Sequence, residues 1–328
     1  MRFAVLGAGA IGAYAGAALA RGGADVVLIA RGANLAAMRR DGVKVLSPRG
    51  DFEAHPEATD ELEAVAEADC VIVGLKAYSL PELLPRIAPL LRPDAFLLPA
   101  QNGVPWWFFQ SFPGPLEGQV VEAVDPGGVI TEAIAPEQVV GCVPYPATEL
   151  AEPGVVRHIE GTRFTIGEPD GTLSERCARV AEAFEAGGLK CPIEERIREQ
   201  LWLKLVGNVA FNPVSALTGA TLGELGATPE MVEMLRDVME EVTAVGAALG
   251  IELPVSVDRR LEAGIAVGDH KTSMLQDLEA GKPLELGCMS GAVVEIAGRL
   301  GVPVPHVDTV HACLGTLDRL RQTVGQQV

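Results

Sequence analysis

The stretch Arg2-Phe3-Ala4-Val5-Leu6-Gly7-Ala8-Gly9-Ala10-Ile11-Gly12 places a glycine turn directly behind a short apolar run of strand type. Ala13 to Arg21 follows as an Ala-rich run with helical character, and Ala24 to Ala30 is a second apolar strand. Strand, glycine turn, helix and strand, in that order, describe a dinucleotide-binding unit. Each glycine has a physical task. Gly7 permits the tight turn, Gly9 leaves room for a pyrophosphate where a Cβ would collide with it, and Gly12 lets the helix lie close on the sheet. The free N–H groups at the start of that helix then face the phosphates, so Ala8, Ala10 and Ile11 count with the three glycines as expected cofactor-binding residues.

The second strand bears on which nucleotide fits. An acid at its C-terminal end would accept hydrogen bonds from ribose hydroxyls, but the strand ends Leu28-Ile29-Ala30-Arg31 and Asp25 lies at its start. Arg31 suits a 2′-phosphate, which points to NADP(H), with Arg39 and Arg40 near enough to help. The alternative is a solvated Arg after a strand.

The chain has 328 residues, is 48% hydrophobic and carries a net charge of −18. That length suits two domains with sizeable cores. The charge argues against nucleic acid and against an anionic membrane surface. Cysteines 70, 142, 177, 191, 288 and 313 are scattered without a C-x-x-C, and the histidines show no zinc-ligand spacing, so no metal is expected. Scattered cysteines of this kind read as reduced thiols, and the expected location is the cytoplasm. Residues 3–20 are apolar, but glycines interrupt them and a strand follows, so they read as neither a targeting segment nor a membrane span.

Farther along, Ala33 to Asp41 predicts a short helix and Val43 to Ala54 an irregular or strand region with a turn at Ser47-Pro48-Arg49-Gly50. Ala68 to Leu75 is a strand of the kind buried on both faces, with Lys76 at its C-terminal end. A helix over Leu80 to Leu91 and a strand over Ala95 to Ala100 follow, and the latter runs into Gln101-Asn102-Gly103. Lys76 and Asn102 therefore stand beyond the carboxyl ends of strands, where open α/β sheets bind ligands. Trp106-Trp107-Phe108-Phe109 reads either as core or subunit contact, or as the wall of a substrate pocket. Residues 112–128, rich in Pro and Gly, read as a loop excursion. Strand character returns at Val139 to Thr148 and Gly154 to Gly167, helix at Leu173 to Ala186, and a last strand at Leu189 to Ile193.

From Arg196 the strands vanish and helical segments take over, at 196–211, 229–249, 255–266, 273–280, 284–300 and 306–323. The expected domains are thus 1–195 and 196–328. The junction helix reads Gln200-Leu-Trp-Leu-Lys204-Leu-Val-Gly-Asn208-Val-Ala-Phe-Asn212-Pro213. Lys204, Asn208 and Asn212 are spaced i, i+4, i+8, which sets them on one stripe, and their neighbours are apolar. Buried, an ammonium and two amides need polar partners, and a polar ligand would supply them. Pro213 is expected to stop the helix. Lys is scarce here, six against twenty Arg, and unlike Arg it can give up a proton when buried, so Lys204 suits a general acid. A snorkelling or ion-paired Lys is the plainer reading. Ser273 with Gln276 forms a capping-box pattern, and Glu285 is either a first-turn acid or a partner of Lys204.

Taken together, Gly7 to Gly12, Arg31, Lys76, Gln101-Asn102-Gly103, Trp202-x-Lys204 with Asn208 and Asn212-Pro213, and Ser273-Met-Leu-Gln-Asp with Glu285 resemble the ketopantoate reductase (2-dehydropantoate 2-reductase) family over nearly the whole chain. The resemblance implies a Rossmann-type doubly wound sheet followed by an all-α domain, with the active site in the interdomain cleft. It implies NADPH-dependent reduction of 2-dehydropantoate to (R)-pantoate, a step of pantothenate biosynthesis. Arg31 would hold the 2′-phosphate, with Lys76 and Asn102 against the cofactor. Lys204 would donate the proton, and Asn102, Asn208, Asn212 and Ser273 would hold the substrate. Glu285 would complete the catalytic site. The expected partner is a small 2-oxo acid, with a homodimer as one option and neither nucleic acid nor a membrane. Competing readings are a paralogous reductase of another 2-oxo acid, a dehydrogenase of phosphorylated or amino-linked hydroxy acids served by Arg198 and Lys271, and a non-catalytic NADPH sensor.

Overall fold

The computed structural model describes residues Met1–Gly325. It divides into two compact units: Met1–Phe112 with Gly128–Gln200, and Pro113–Gly127 with everything from Leu201 onward.

The first unit is built on β1 (Arg2–Leu6), α1 (Ala10–Arg21), β2 (Asp25–Ile29), α2 (Gly32–Asp41), β3 (Val43–Leu46), β4 (Phe52–Ala54), β5 (Glu57–Thr59), β6 (Cys70–Val73), α3 (Leu80–Ile87) and β7 (Phe96–Pro99). Five of these strands form a parallel sheet in the order β5-β2-β1-β6-β7. The apolar runs of β1, β6 and β7 are buried, as strands covered on both faces must be. The order reverses at β1, and loops leaving neighbouring strands in opposite directions open a crevice there. The chain continues through α4 (Val129–Ala133), β8 (Gly141–Pro144), β9 (Ala147–Glu152), β10 (Val155–Glu160), β11 (Phe164–Gly167) and α5 (Glu175–Ala186). A second sheet, β4-β3-β10-β9, and an antiparallel pair, β8 with β11, complete the unit. The strand expected over Leu189 to Ile193 is only an extended segment that bridges β11 at Ile166 and the preceding loop at Arg163.

The aromatic run resolves as core. Trp106, Trp107, Phe108 and Phe109 are all buried, and Phe108 meets Phe109 edge-on at 5.1 Å between ring centroids. Gly141 lies so near that an added Cβ would come within 2.8 Å of the Trp107 indole.

The second unit is helical: α6 (Ile197–Thr218, whose first turn belongs to the first unit), α7 (Leu222–Gly226), α8 (Pro229–Ala248), α9 (Val257–Ile265), α10 (Ser273–Glu279), α11 (Ala292–Leu300) and α12 (Pro305–Gly325). α8 packs against α7, α9, α11 and α12. Pro213 does not stop α6, which runs on to Thr218. Proline costs a helix the bond its N–H would make to the carbonyl four residues back. Here Phe211, Val214 and Ala216 are buried, so packing on both sides of the break outweighs that loss. α7 was not foreseen, although Thr221 and Glu224 form a capping box at its start. Residues 284–300 are not one helix but a π-turn, Gly287–Gly291, feeding α11.

Residues 113–127 count with the second unit instead of the first domain expected over 1–195. One carboxylate explains much of this. Glu295 of α11 accepts the N–H of Glu122 at 2.9 Å and that of Ala123 at 2.8 Å, and Arg299 bonds both Glu295 and Gln119. Among the described residues no helix is long and apolar enough to cross a membrane, and no group of His, Cys, Asp or Glu is arranged to hold a metal ion.

Candidate functional site

In the first unit the sequence builds a cradle at the end of β1. Gly7 has φ +93°, a left-handed conformation that glycine adopts without a steric cost. A Cβ on Gly12 would overlap the Gly7 carbonyl oxygen, so α1 approaches the loop only because Gly12 has no side chain. Gly74, at the end of β6, closes the same contact from the other side, its missing Cβ lying 2.7 Å from that oxygen. Gly74 went unnoticed in the sequence, where it reads as one more small residue in an apolar run.

Gly9 differs from its neighbours. No protein atom would lie nearer than 4.0 Å to a Cβ placed there, so packing does not require glycine at that position. Meanwhile the N–H groups of Gly9, Ala10 and Ile11 make no hydrogen bond within the described chain. A small residue that nothing in the protein demands, beside free donors at the positive end of a twelve-residue helix, fits a pyrophosphate.

Arg31 precedes α2, is exposed, and makes no ion pair among the described residues, while Asp25 at the far end of β2 faces Arg2 at 3.5 Å. Arg39 and Arg40 do not share Arg31's availability. Arg39 pairs with Asp60 at 3.0 Å and bonds the Ala58 carbonyl, and Arg40 binds its neighbour Asp41. Lys76 and Asn102 follow β6 and β7, and both are half-buried at the C-terminal edge of the parallel sheet. Gln101 ties these strand ends together, its Nε2 donating to the Val73 carbonyl at 2.7 Å, while its buried Oε1 is left without a partner.

In the second unit, α6 carries Lys204, Asn208 and Asn212 along one stripe, as the spacing requires. Burial deepens along it: Lys204 and Asn208 are half-buried and Asn212 is buried. Trp202 anchors the helix. Its indole N–H donates to the Val242 carbonyl of α8 at 3.0 Å, and Gly246 leaves room for the ring. Lys204 and Glu285 are both engaged by contacts within the chain, and Glu285 is buried. Asn212 Nδ2 lies 3.7 Å from Met289 Sδ, which brings the stripe's deep end to the π-turn that follows Glu285. The Asn208 amide makes no hydrogen bond within the described chain.

Ser273 is not the cap of α10. Thr272 holds that position, with Oγ1 accepting from Leu275 N at 3.3 Å, and Gln276 turns back to the Lys271 carbonyl. Ser273 is the helix's exposed first residue. The pattern one residue upstream, Thr-x-x-Leu, lacks the acid or amide of a capping box, which is why the sequence favoured Ser273.

Neither extra basic residue is free. Lys271 binds Glu279 at 2.6 Å. Arg198 is buried, bonds the carbonyls of Phe108 at 2.7 Å, Gln110 at 2.6 Å and Pro169, and lies over the ring of Phe112. Burial pushes its pKa down to about 10. It organises the first unit's core.

Two family models match the chain: ketopantoate reductase PanE/ApbA over residues 3–106, and ketopantoate reductase PanE/ApbA C terminal over residues 196–318. The 2-dehydropantoate 2-reductase of Mesorhizobium japonicum is 44% identical over 97% of this chain and 98% of its own length. A crystal structure described as that of a candidate ketopantoate reductase from Ralstonia solanacearum MolK2 is 39% identical, covers 98% of each chain and superposes with a TM-score of 0.91. A D-mandelate dehydrogenase solved with NADH and anilino(oxo)acetate, 20% identical over 98% of this chain and 100% of its own, shares the fold with a TM-score of 0.84.

Proposed function

The chain belongs to the ketopantoate reductase family of nicotinamide-dependent oxidoreductases, and from that premise we propose that it reduces 2-dehydropantoate to (R)-pantoate with NADPH, a step of pantothenate biosynthesis. What supports NADPH over NADH is the exposed, unpaired Arg31 after β2, with no acid at that strand end. The glycine turn would hold the pyrophosphate, Arg31 the 2′-phosphate, and Lys76 and Asn102 the inner part of the cofactor. Bound NADPH supplies a hydride to the 2-oxo carbon.

Everything else in this reading is work for the chain's own side chains. As the carbonyl carbon gains the hydride, negative charge builds on its oxygen. The Lys204 Nζ donates a hydrogen bond to that oxygen and then a proton, leaving a hydroxyl and a neutral amine that solvent reprotonates. Asn102, Asn208, Asn212 and Ser273 orient the carboxylate and the hydroxyl of the oxo acid, and the Glu285 carboxylate holds the ammonium in place. The single observation that carries the reading is the α6 stripe: one ammonium, aligned with two amides, on a helix whose other residues from 201 to 211 are apolar.

The alternatives lose ground. The aromatic run that suggested a reshaped pocket is core, and the cations that a phosphorylated substrate would need are already committed. The test is a panel of 2-oxo acids assayed with NADPH and with NADH. Ketopantoate with NADPH should give the highest kcat/KM. Lys204→Ala should lower kcat by about 10²- to 10⁴-fold, with NADPH affinity retained. Faster turnover of another oxo acid would move the assignment to a paralogous reductase, and tight NADPH binding with no turnover at all would make it a sensor.

A further inference from the structure

Asn34 was not singled out by any motif, yet it makes two hydrogen bonds that converge on the glycine turn. Its Nδ2 donates to the Ala8 carbonyl at 2.7 Å, and its Oδ1 accepts the N–H of Gly154, in the turn between β9 and β10, at 2.8 Å. The direction of both bonds is fixed by chemistry, because a carbonyl only accepts and a backbone N–H only donates. The loop is held from the other side too: Gly7 N and Ala8 N both donate to the Ile29 carbonyl, at 3.1 and 3.2 Å.

These contacts determine one peptide plane. In a trans peptide the C=O and the following N–H point in opposite directions. Once the Ala8 carbonyl is turned toward Asn34, the Gly9 N–H is turned away from α2. That N–H is one of the donors without a partner in the chain, on the residue whose missing Cβ no protein atom requires. We propose that Asn34 is a positioning residue for the cofactor pyrophosphate: by holding the Ala8 carbonyl it aims the Gly9 N–H at the phosphates. The inference rests on the reading of the first unit as a nicotinamide dinucleotide site.

Both nicotinamide cofactors share the pyrophosphate, and only NADPH has the 2′-phosphate assigned to Arg31. The two residues therefore leave different signatures in a binding titration of wild-type protein, without oxo acid, by quenching of intrinsic tryptophan fluorescence. Asn34→Ala and the near-isosteric Asn34→Leu should raise Kd for NADPH and NADH by the same factor, about tenfold or more, as expected when a hydrogen bond to a charged group is lost. Arg31→Ala should weaken NADPH alone. Asn34→His places a ring N–H donor near the original Nδ2 position and should regain most of the affinity.

A merely structural Asn34 would lower the melting temperature of the nucleotide-free protein and leave Kd unchanged below that temperature. That result, or a loss confined to NADPH, would overturn the inference while leaving the cofactor assignment standing. Wild-type protein that bound neither nucleotide would overturn both.

Discussion

Burial lowers the pKa of the His311 imidazole, with Asp308 opposing the shift, and its Nδ1 lies 2.8 Å from the Ser290 hydroxyl. A neutral ring with its proton on Nε2 accepts a hydrogen bond from that hydroxyl at Nδ1; a protonated ring would donate there instead. The unfolded chain takes up the proton first as pH falls, near the ordinary histidine value of about 6.5. Between that value and the lower folded pKa, unfolded chains bind more protons than folded ones, so stability held above about pH 6.5 is lost on acidification. Melting temperatures measured from about pH 8 to about pH 5 should fall more steeply for wild type than for His311→Gln. Parallel curves would exclude this histidine as the source. At this scale the sequence was uneven in what it disclosed. Arg31 and Lys204 stood out because their charge is unusual for their surroundings. Asn34 and Gly74 did not, since what they do depends on a backbone atom brought near by folding, and nothing in residue type or spacing announces such a meeting.

The turn between β1 and α1 separates two reasons for glycine that look identical in sequence. Gly12 is required by the protein, and a Cβ there would strike the Gly7 carbonyl. Gly9 has room for a side chain and an ordinary negative φ of −74°. Gly12→Ala should therefore cost the nucleotide-free protein about 1–3 kcal/mol through overpacking, while Gly9→Ala should leave its melting temperature nearly unchanged and sharply weaken NADPH binding. Calorimetry paired with nucleotide titration checks both. A large loss of stability in Gly9→Ala would mean that the glycine serves the fold. Other elements show why periodicity reaches only so far. The pattern of α6 was plain, but its end was not: Pro213 is a strong local signal overridden by burial on either side, information that exists only once the helices have packed. The π-turn was invisible for a similar reason, because the extra residue it accommodates leaves the apolar spacing on both sides intact.

On the scale of the molecule, alternating strand and helix before about residue 195 and helices alone afterwards disclosed two kinds of architecture. What composition could not disclose is that the chain visits the helical unit twice. Pro113–Gly127 belongs with residues from Leu201 onward, and Glu295 is satisfied by the backbone of Glu122 and Ala123. A fragment beginning at Leu201 would leave that carboxylate to Arg299 without its two backbone donors, and the face of Gly287, which approaches the Ala123 carbonyl, uncovered. Such a fragment should melt without a sharp transition and bind a hydrophobic dye. A cooperative melt matching that of the intact protein would show that 113–127 is dispensable.

Five of the six cysteines are buried and one, Cys313 on α12, is exposed. Burial raises the thiol pKa of Cys177 to about 11 and also raises those of Cys70 and Cys191, so folded molecules present these as inert thiols. The native protein should then react with a colorimetric disulfide reagent at a single position, and the remaining sulfhydryls should become countable only as molecules open. The chain thus carries its own chemical gauge of how much of a sample is intact, readable without cofactor or substrate.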